Sequence, residues 1–155
     1  MTTDSIPARA TWAAALTAAP AAEVTALGNH LAADHRVAPL SVPQAGLYLL
    51  TMRDGVFHDR YNLGEIPVAT AAVEVVASDG TRATGGASLL GDSLELAGAV
   101  AVCDAVLAHR LAGWQQVADL VARGAAVRAK TARVRGAMLT RTAVDFGGLG
   151  DDDDD

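Results

Sequence analysis

Gly46-Leu47-Tyr48-Leu49-Leu50-Thr51-Met52, then Arg53-Asp54-Gly55, then Val56-Phe57-His58-Asp59-Arg60-Tyr61 is the stretch on which the fold turns. The first run is short, apolar and free of charge, which reads as a buried strand with Leu47 in the core. Gly55 supplies the positive φ of a turn, and the second run returns as a partner strand. Upstream, Val37, Leu40 and Val42 alternate with Pro39 and Pro43, and proline in a strand belongs at a sheet edge. Downstream, the valine-rich segment Val68 to Ala77 predicts a third strand, with Val73 in the core. Asp79-Gly80 is a strong hairpin signal, and Arg82 to Leu90 completes a fourth strand. Gly85-Gly86 inside that last run implies a bulge or a close backbone approach. The centre of the chain is therefore an antiparallel meander of about four strands.

Helices flank it. Pro7 is suited to a first helical turn, where its missing N–H leaves nothing unpaired. Trp12 and Leu16 then share one face, with Trp12 in the core. Pro20 opens a second helix through Val24, Leu27 and Leu31 to about Asp34. After the sheet, Asp92 with Glu95 three residues on resembles a capping box. The helix it starts runs through Leu94, Ala97, Ala101 and Val102 to about Leu111. Gly113 breaks it, and a last helix carries Trp114, Val117, Leu120, Val121, Val127 and Met138, weakened near Gly124. Helices, meander, helices means an α+β domain. Residues 1–150 form one domain, and Asp151 to Asp155 form an acidic tail of the kind that stays disordered.

Composition narrows the function. The chain has 155 residues, 51% hydrophobic and only 4% aromatic, so small aliphatic side chains build its core. No apolar run is long enough to span a bilayer, and the start has no basic-then-apolar leader pattern. One cysteine, Cys103, excludes an internal disulfide and a multi-thiolate metal site. A reducing cytoplasm suits such a chain. The net charge of −6 is unevenly spread: residues 1–105 carry −6, residues 106–150 carry +5, and the aspartate tail carries −5.

No self-contained active site emerges. His30 and His35 stand five apart, whereas a helix that offers two histidines to one metal spaces them four apart. His58 reads as exposed, and His109 sits where a helix C-terminus favours a cation. Cys103, beside Asp104 on an apolar helix, reads as a small buried hydrophobe. Glu65 reads as a turn carboxylate paired to an arginine such as Arg60. Neither a P-loop nor a nucleophile elbow is present. Arg123, Arg128, Lys130, Arg133 and Arg135 are basic but do not share one helical stripe, and they lack the aromatic platform of a nucleic-acid reader. Contact with an acidic partner protein is the expectation for them.

In order along the chain, a set of short segments resembles the PhnG family of the bacterial carbon–phosphorus lyase system. Trp12 with Leu16 resembles the opening Trp and Leu, and Pro43-Gln44-Ala45-Gly46-Leu47 resembles the family's Pro-Glu-Thr-Gly-Leu. Asn62-Leu63-Gly64-Glu65 matches its Asn-Leu-Gly-Glu after an aromatic residue, here Tyr61. Val73 and Asp79-Gly80 fall at its Val-rich strand and Asp-Gly turn, and Gly91 at the Gly of a Gly-Arg-Asp segment. Ala101, Asp104 and Ala105 match an Ala followed by Asp-Ala-Leu, and Val144-Asp145-Phe146 its terminal Val-Asp-Phe. Thr70 and Asp92 replace arginines of the pattern, and an extra residue falls in Arg82–Leu90.

The resemblance implies a non-catalytic core subunit of a hetero-oligomer with PhnH-, PhnI- and PhnJ-type subunits. That complex makes a ribose-linked phosphonate triphosphate from ATP and alkylphosphonate, upstream of carbon–phosphorus bond cleavage. It uses ATP, and its radical subunit uses S-adenosylmethionine and an iron–sulfur cluster; this chain is expected to bind no cofactor or metal itself. A stand-alone binding module for a phosphorylated metabolite is the alternative.

Overall fold

The computed structural model describes residues 6–141. The order is a 3-10 turn Arg9–Thr11, α1 Trp12–Leu16, α2 Ala21–Asp34, β1 Arg36–Arg53, β2 Arg60–Val76, β3 Arg82–Leu90, α3 Leu94–His109 and α4 Trp114–Arg141. The strands form one antiparallel sheet in the order β1-β2-β3. The α+β architecture follows the sequence pattern, with three long strands in place of about four shorter ones. Of the expected second strand only Arg60 and Tyr61 are extended, and they run on without a break into the third as β2. Residues 55–57 are turn, and His58 takes φ 59°.

α3 is the centre of the body. Its residues are apolar all round, and such a helix is stable only when covered on every side. The sheet covers one side and α2, α1 and α4 cover the other. Val75, Ala83, Val100, Ala101, Val106, Val117 and Leu120 are essentially inaccessible, joined by Leu16, Val24 and Leu31. Small residues set the spacing. A Cβ at Gly28 would lie 2.5 Å from that of Ala99, and one at Gly85 would run into the Ala101 carbonyl and the Ala105 backbone. The β2–β3 register passes Gly85 and Gly86 without a shift. The paired glycines therefore mark a close approach and not a bulge, and no bulge takes up an extra residue there.

The helix boundaries have local causes. Pro20 stands at the N-cap of α2. Ser93, not Asp92, caps α3 by accepting from the Leu96 N–H at 3.2 Å. α3 ends at Arg110 in the left-handed region, and Gly113 (φ 87°) turns the chain into α4. α4 is not weakened at Gly124. That glycine is buried where the Ala15 carbonyl of α1 meets the helix, a site with no room for a Cβ.

Leu47 is a correction. Trp12 and Val73 are buried, but Leu47 is 65% exposed. The reason is length: β1 and β2 run well beyond β3, which pairs only with Val68–Val76. The outer halves of β1 and β2 form a two-stranded arm with no helix over it. Its register jumps between Leu50↔Gly64 and Thr51↔Asn62, so Leu63 is the extra residue of a β-bulge and Gly64 (φ 151°) sits beside it.

Candidate interaction site

The best-connected polar group of the body is Asp104. Its carboxylate leaves α3 towards the open edge of the helix–sheet contact, with the side chain 13% exposed. Arg9 grips it with both arms of its guanidinium, Nε–H to Oδ1 at 2.9 Å and Nη2–H to Oδ2 at 2.7 Å. The Gly86 N–H donates to the same carboxylate at 3.1 Å, and Arg9 also donates to the Thr84 carbonyl. One aspartate thus ties the N-terminal turn, β3 and α3 together, and holds the Arg9 guanidinium above its usual range. Sequence reasoning missed this node, because Arg9 and Asp104 lie far apart in the chain. Its one local signal is a lone carboxylate on an apolar helix. Ala105, next in line, is fully buried where Gly85 meets α3.

The remaining candidates fall out separately. Cys103 is fully buried, and burial, with the Asp104 charge, pushes its thiol up to about 12. It is a core residue, not a nucleophile. His30 lies 3.6 Å from Asp34 one turn on, while His35 is buried and its Nε2–H donates to the Ala112 carbonyl at 3.0 Å. The two histidines do not converge, and no cluster of three metal-ligating side chains exists among the described residues. Glu65 lies in β2 opposite Leu49, exposed. It makes no ion pair with Arg60, because the bulge and four residues of strand separate them.

The basic set divides. Arg123 is paired to Glu23 of α2 at 2.5 Å, and Arg128 Nη1–H donates to the Ala14 carbonyl at 3.4 Å. These two pin α4 to the N-terminal helices. Lys130, Arg133 and Arg135 have no ion pair among the described residues and stand where every residue from Ala126 to Arg141 is exposed. A surface recess of about 460 Å³ beside them is lined by Ala18, Val127, Arg128, Thr131, Ala132 and Arg135.

The largest uncovered apolar surface is the arm. Tyr48, Met52 and Tyr61 are exposed on one face, and Leu47 and Leu49 on the other. The Gly46 and Leu47 pair and the Asn62-Leu63-Gly64-Glu65 motif both lie on it. Thr51 donates to Asn62 Oδ1 at 3.2 Å across the strands, beside the bulge. A family model described as phosphonate metabolism protein PhnG matches residues 7–150.

The chain belongs to the PhnG family.

Membership gives it a role in phosphonate metabolism. No curated protein matches it. The motif positions of the family now have physical roles. Gly80 (φ 85°) makes the β2–β3 turn, with the Asp79 side chain accepting from the Thr81 N–H at 2.8 Å. Gly91 (φ 118°) closes β3 onto the Pro67 carbonyl at 2.8 Å. Asp104 and Ala105 fix α3 on the sheet. Thr70 donates to the Gln44 carbonyl at 3.5 Å, and Asp92 is exposed before the α3 cap. Val144, Asp145 and Phe146 and the aspartate tail lie outside the described residues. No single helix is long and apolar enough to cross a membrane among those described.

Proposed function

We propose that this protein is a non-catalytic core subunit of the carbon–phosphorus lyase complex, acting in the cytoplasm with PhnH-, PhnI- and PhnJ-type subunits. In this reading it supports the formation of ribose 1-alkylphosphonate 5-triphosphate from ATP and alkylphosphonate. The observation that carries the proposal is the arm: a PhnG-family chain presents a long apolar ribbon that its own body leaves uncovered. Large exposed apolar patches mark interaction surfaces. Division of labour supports it too. An iron–sulfur cluster needs several thiolates, and the one cysteine of this chain is buried and held protonated. The cluster and its S-adenosylmethionine chemistry then belong to another subunit, as does turnover of ATP. Lys130, Arg133 and Arg135 complement an acidic partner surface, whereas Arg123 and Arg128 serve the fold.

Co-expression with PhnI-, PhnH- and PhnJ-type subunits, followed by isolation through a tag on this chain, tests the proposal. The expected result is a stoichiometric complex, with the chain alone inert towards methylphosphonate and ATP. A monodisperse chain that leaves all three subunits behind would overturn it.

A further inference from the structure

The arm is open on four sides. β1 is an edge strand along its whole length, and β2 loses its outer neighbour over Arg60–Pro67, where β3 has already ended. Both flat faces carry large apolar side chains, with Leu47, Tyr48, Leu49, Met52, Tyr61 and Leu63 exposed on the two strands. Natural edge strands are blunted with lysines, prolines, bulges or short length, and the β1 register shifts fall between Pro39 and Gln44, inward of the arm. Here residues 37–52 hold no charged residue at all, and the prolines stop at Pro43. Charge returns only at the tip, in Arg53, Asp54, Asp59 and Arg60. The inner half of the ribbon carries one ionic group, Glu65, exposed and unpaired among the described residues.

These features select the occupant. The six side chains are each 42–65% exposed and lie on both faces, so an occupant that covers the arm must reach both. A second copy pairing edge to edge would cover one edge and neither face. A second copy stacking face to face would cover one face and leave the other wet. The two recesses of about 460 Å³ among the described residues, one beside Arg128 and one between Ala22 and Leu96, are too small to receive a copy's two-stranded arm.

We infer that the arm is clasped by a different protein chain, through an apolar cleft that closes on both faces of residues 44–52 and 61–66 and presents a cation to Glu65. The charged tip passes through to solvent. Glu65 then fixes how far the ribbon threads, because a carboxylate buried without a partner costs far more than one paired in register. This rests on the subunit role proposed above and names the surface that performs it.

The test uses the full chain co-expressed with PhnI-, PhnH- and PhnJ-type subunits. Variants are Leu47→Asp with Tyr48→Asp, one on each face, and separately Glu65→Lys and Glu65→Gln. All of these positions lie outside the core, so the isolated variants should melt with the wild type. The double variant should lose at least tenfold in co-purified partner. Glu65→Lys should lose more than Glu65→Gln, and Glu65→Gln should flatten the salt dependence of assembly. Hydrogen exchange on the wild-type complex gives a readout free of variant folding: amides at both arm edges should slow at least tenfold relative to the isolated chain. A complex that forms with the arm still exchanging at its isolated rate overturns the inference and leaves the subunit role standing. A wild type that captures no subunit overturns both. An isolated chain that is a dimer, and that the double variant turns into a monomer, assigns the arm to a second copy and overturns the inference.

Discussion

Gly85→Ala should be among the most damaging methyl groups that could be added to this protein. The strand crosses α3 so closely at this point that the new Cβ would lie 2.5 Å from the Ala105 nitrogen and 2.8 Å from its Cβ, with the Ala101 carbonyl nearer still. These neighbours are backbone or a side chain with no rotamer to change, so β3 and α3 must separate by nearly an ångström. Asp104 opposes that movement, because it bonds α3 to the Gly86 N–H one residue away. Overpacking of a dense core costs about 1–3 kcal/mol. At this chain length, with roughly 2–4 °C of Tm for each kcal/mol, the melting point should fall by roughly 2–12 °C. Gly86→Ala is the internal control. It adds the same methyl to the same strand, but the nearest atom is the Ala71 carbonyl oxygen at 3.7 Å. Relief of glycine's backbone entropy should make it neutral or stabilising by up to ~1 kcal/mol. Thermal and urea unfolding of the pair, with equal m-values, reads the difference. Equal stability of the two variants would refute the close approach of β3 to α3.

Three further outcomes follow. The Cys103 thiol is held neutral to about pH 12, so between the unfolded value near 9 and that pH the unfolded chain binds fewer protons than the folded one; stability should fall as pH rises, by up to about 1.4 kcal/mol per unit, and Cys103→Ala should lose that slope in urea titrations across the range. Asp104→Ala removes the acceptor of the Gly86 N–H and frees Arg9, and should cost about 0.5–1.5 kcal/mol in the same assay, because both donors are exposed enough for water to take the carboxylate's place. Reversing Lys130, Arg133 and Arg135 to glutamate should leave the melting curve in place and slow association with the partner subunits, with weaker salt dependence, whereas including Arg123 would break the Glu23 pair and confound the two effects; stopped-flow or surface-binding rates across a salt series decide it.

Much of the fold is legible from local chemistry. Pro20, Gly113 and Asp79-Gly80 each act through one residue's φ or missing N–H, which the sequence displays directly. Trp12, Val73 and Cys103 are legible because burial of small apolar side chains follows helix and strand periodicity. Leu47 is not, because a run of apolar residues looks alike whether the domain's own helices cover it or nothing in the chain does. The merging of two expected strands into β2 has the same origin: Asn62-Leu63-Gly64-Glu65 looks like a turn, but in place it is a bulge that lets the strand continue. The link between Arg9 and Asp104 spans almost the whole fold, and no periodicity carries it. Of the basic residues, composition marks all five alike, and only the position of α1 and α2 separates Arg123 and Arg128 from the three that stay free of ion pairs among the described residues.

The uncharged edge of the arm also bears on how the cell must make this protein. A strand that offers nine successive residues without a charge or a proline, from Gln44 to Met52, is a template for any extended chain it meets, including nascent copies of itself. Copies made in excess of whatever sheathes the ribbon form a pool with an open edge that invites aggregation. Production in step with whatever sheathes the ribbon keeps that pool small.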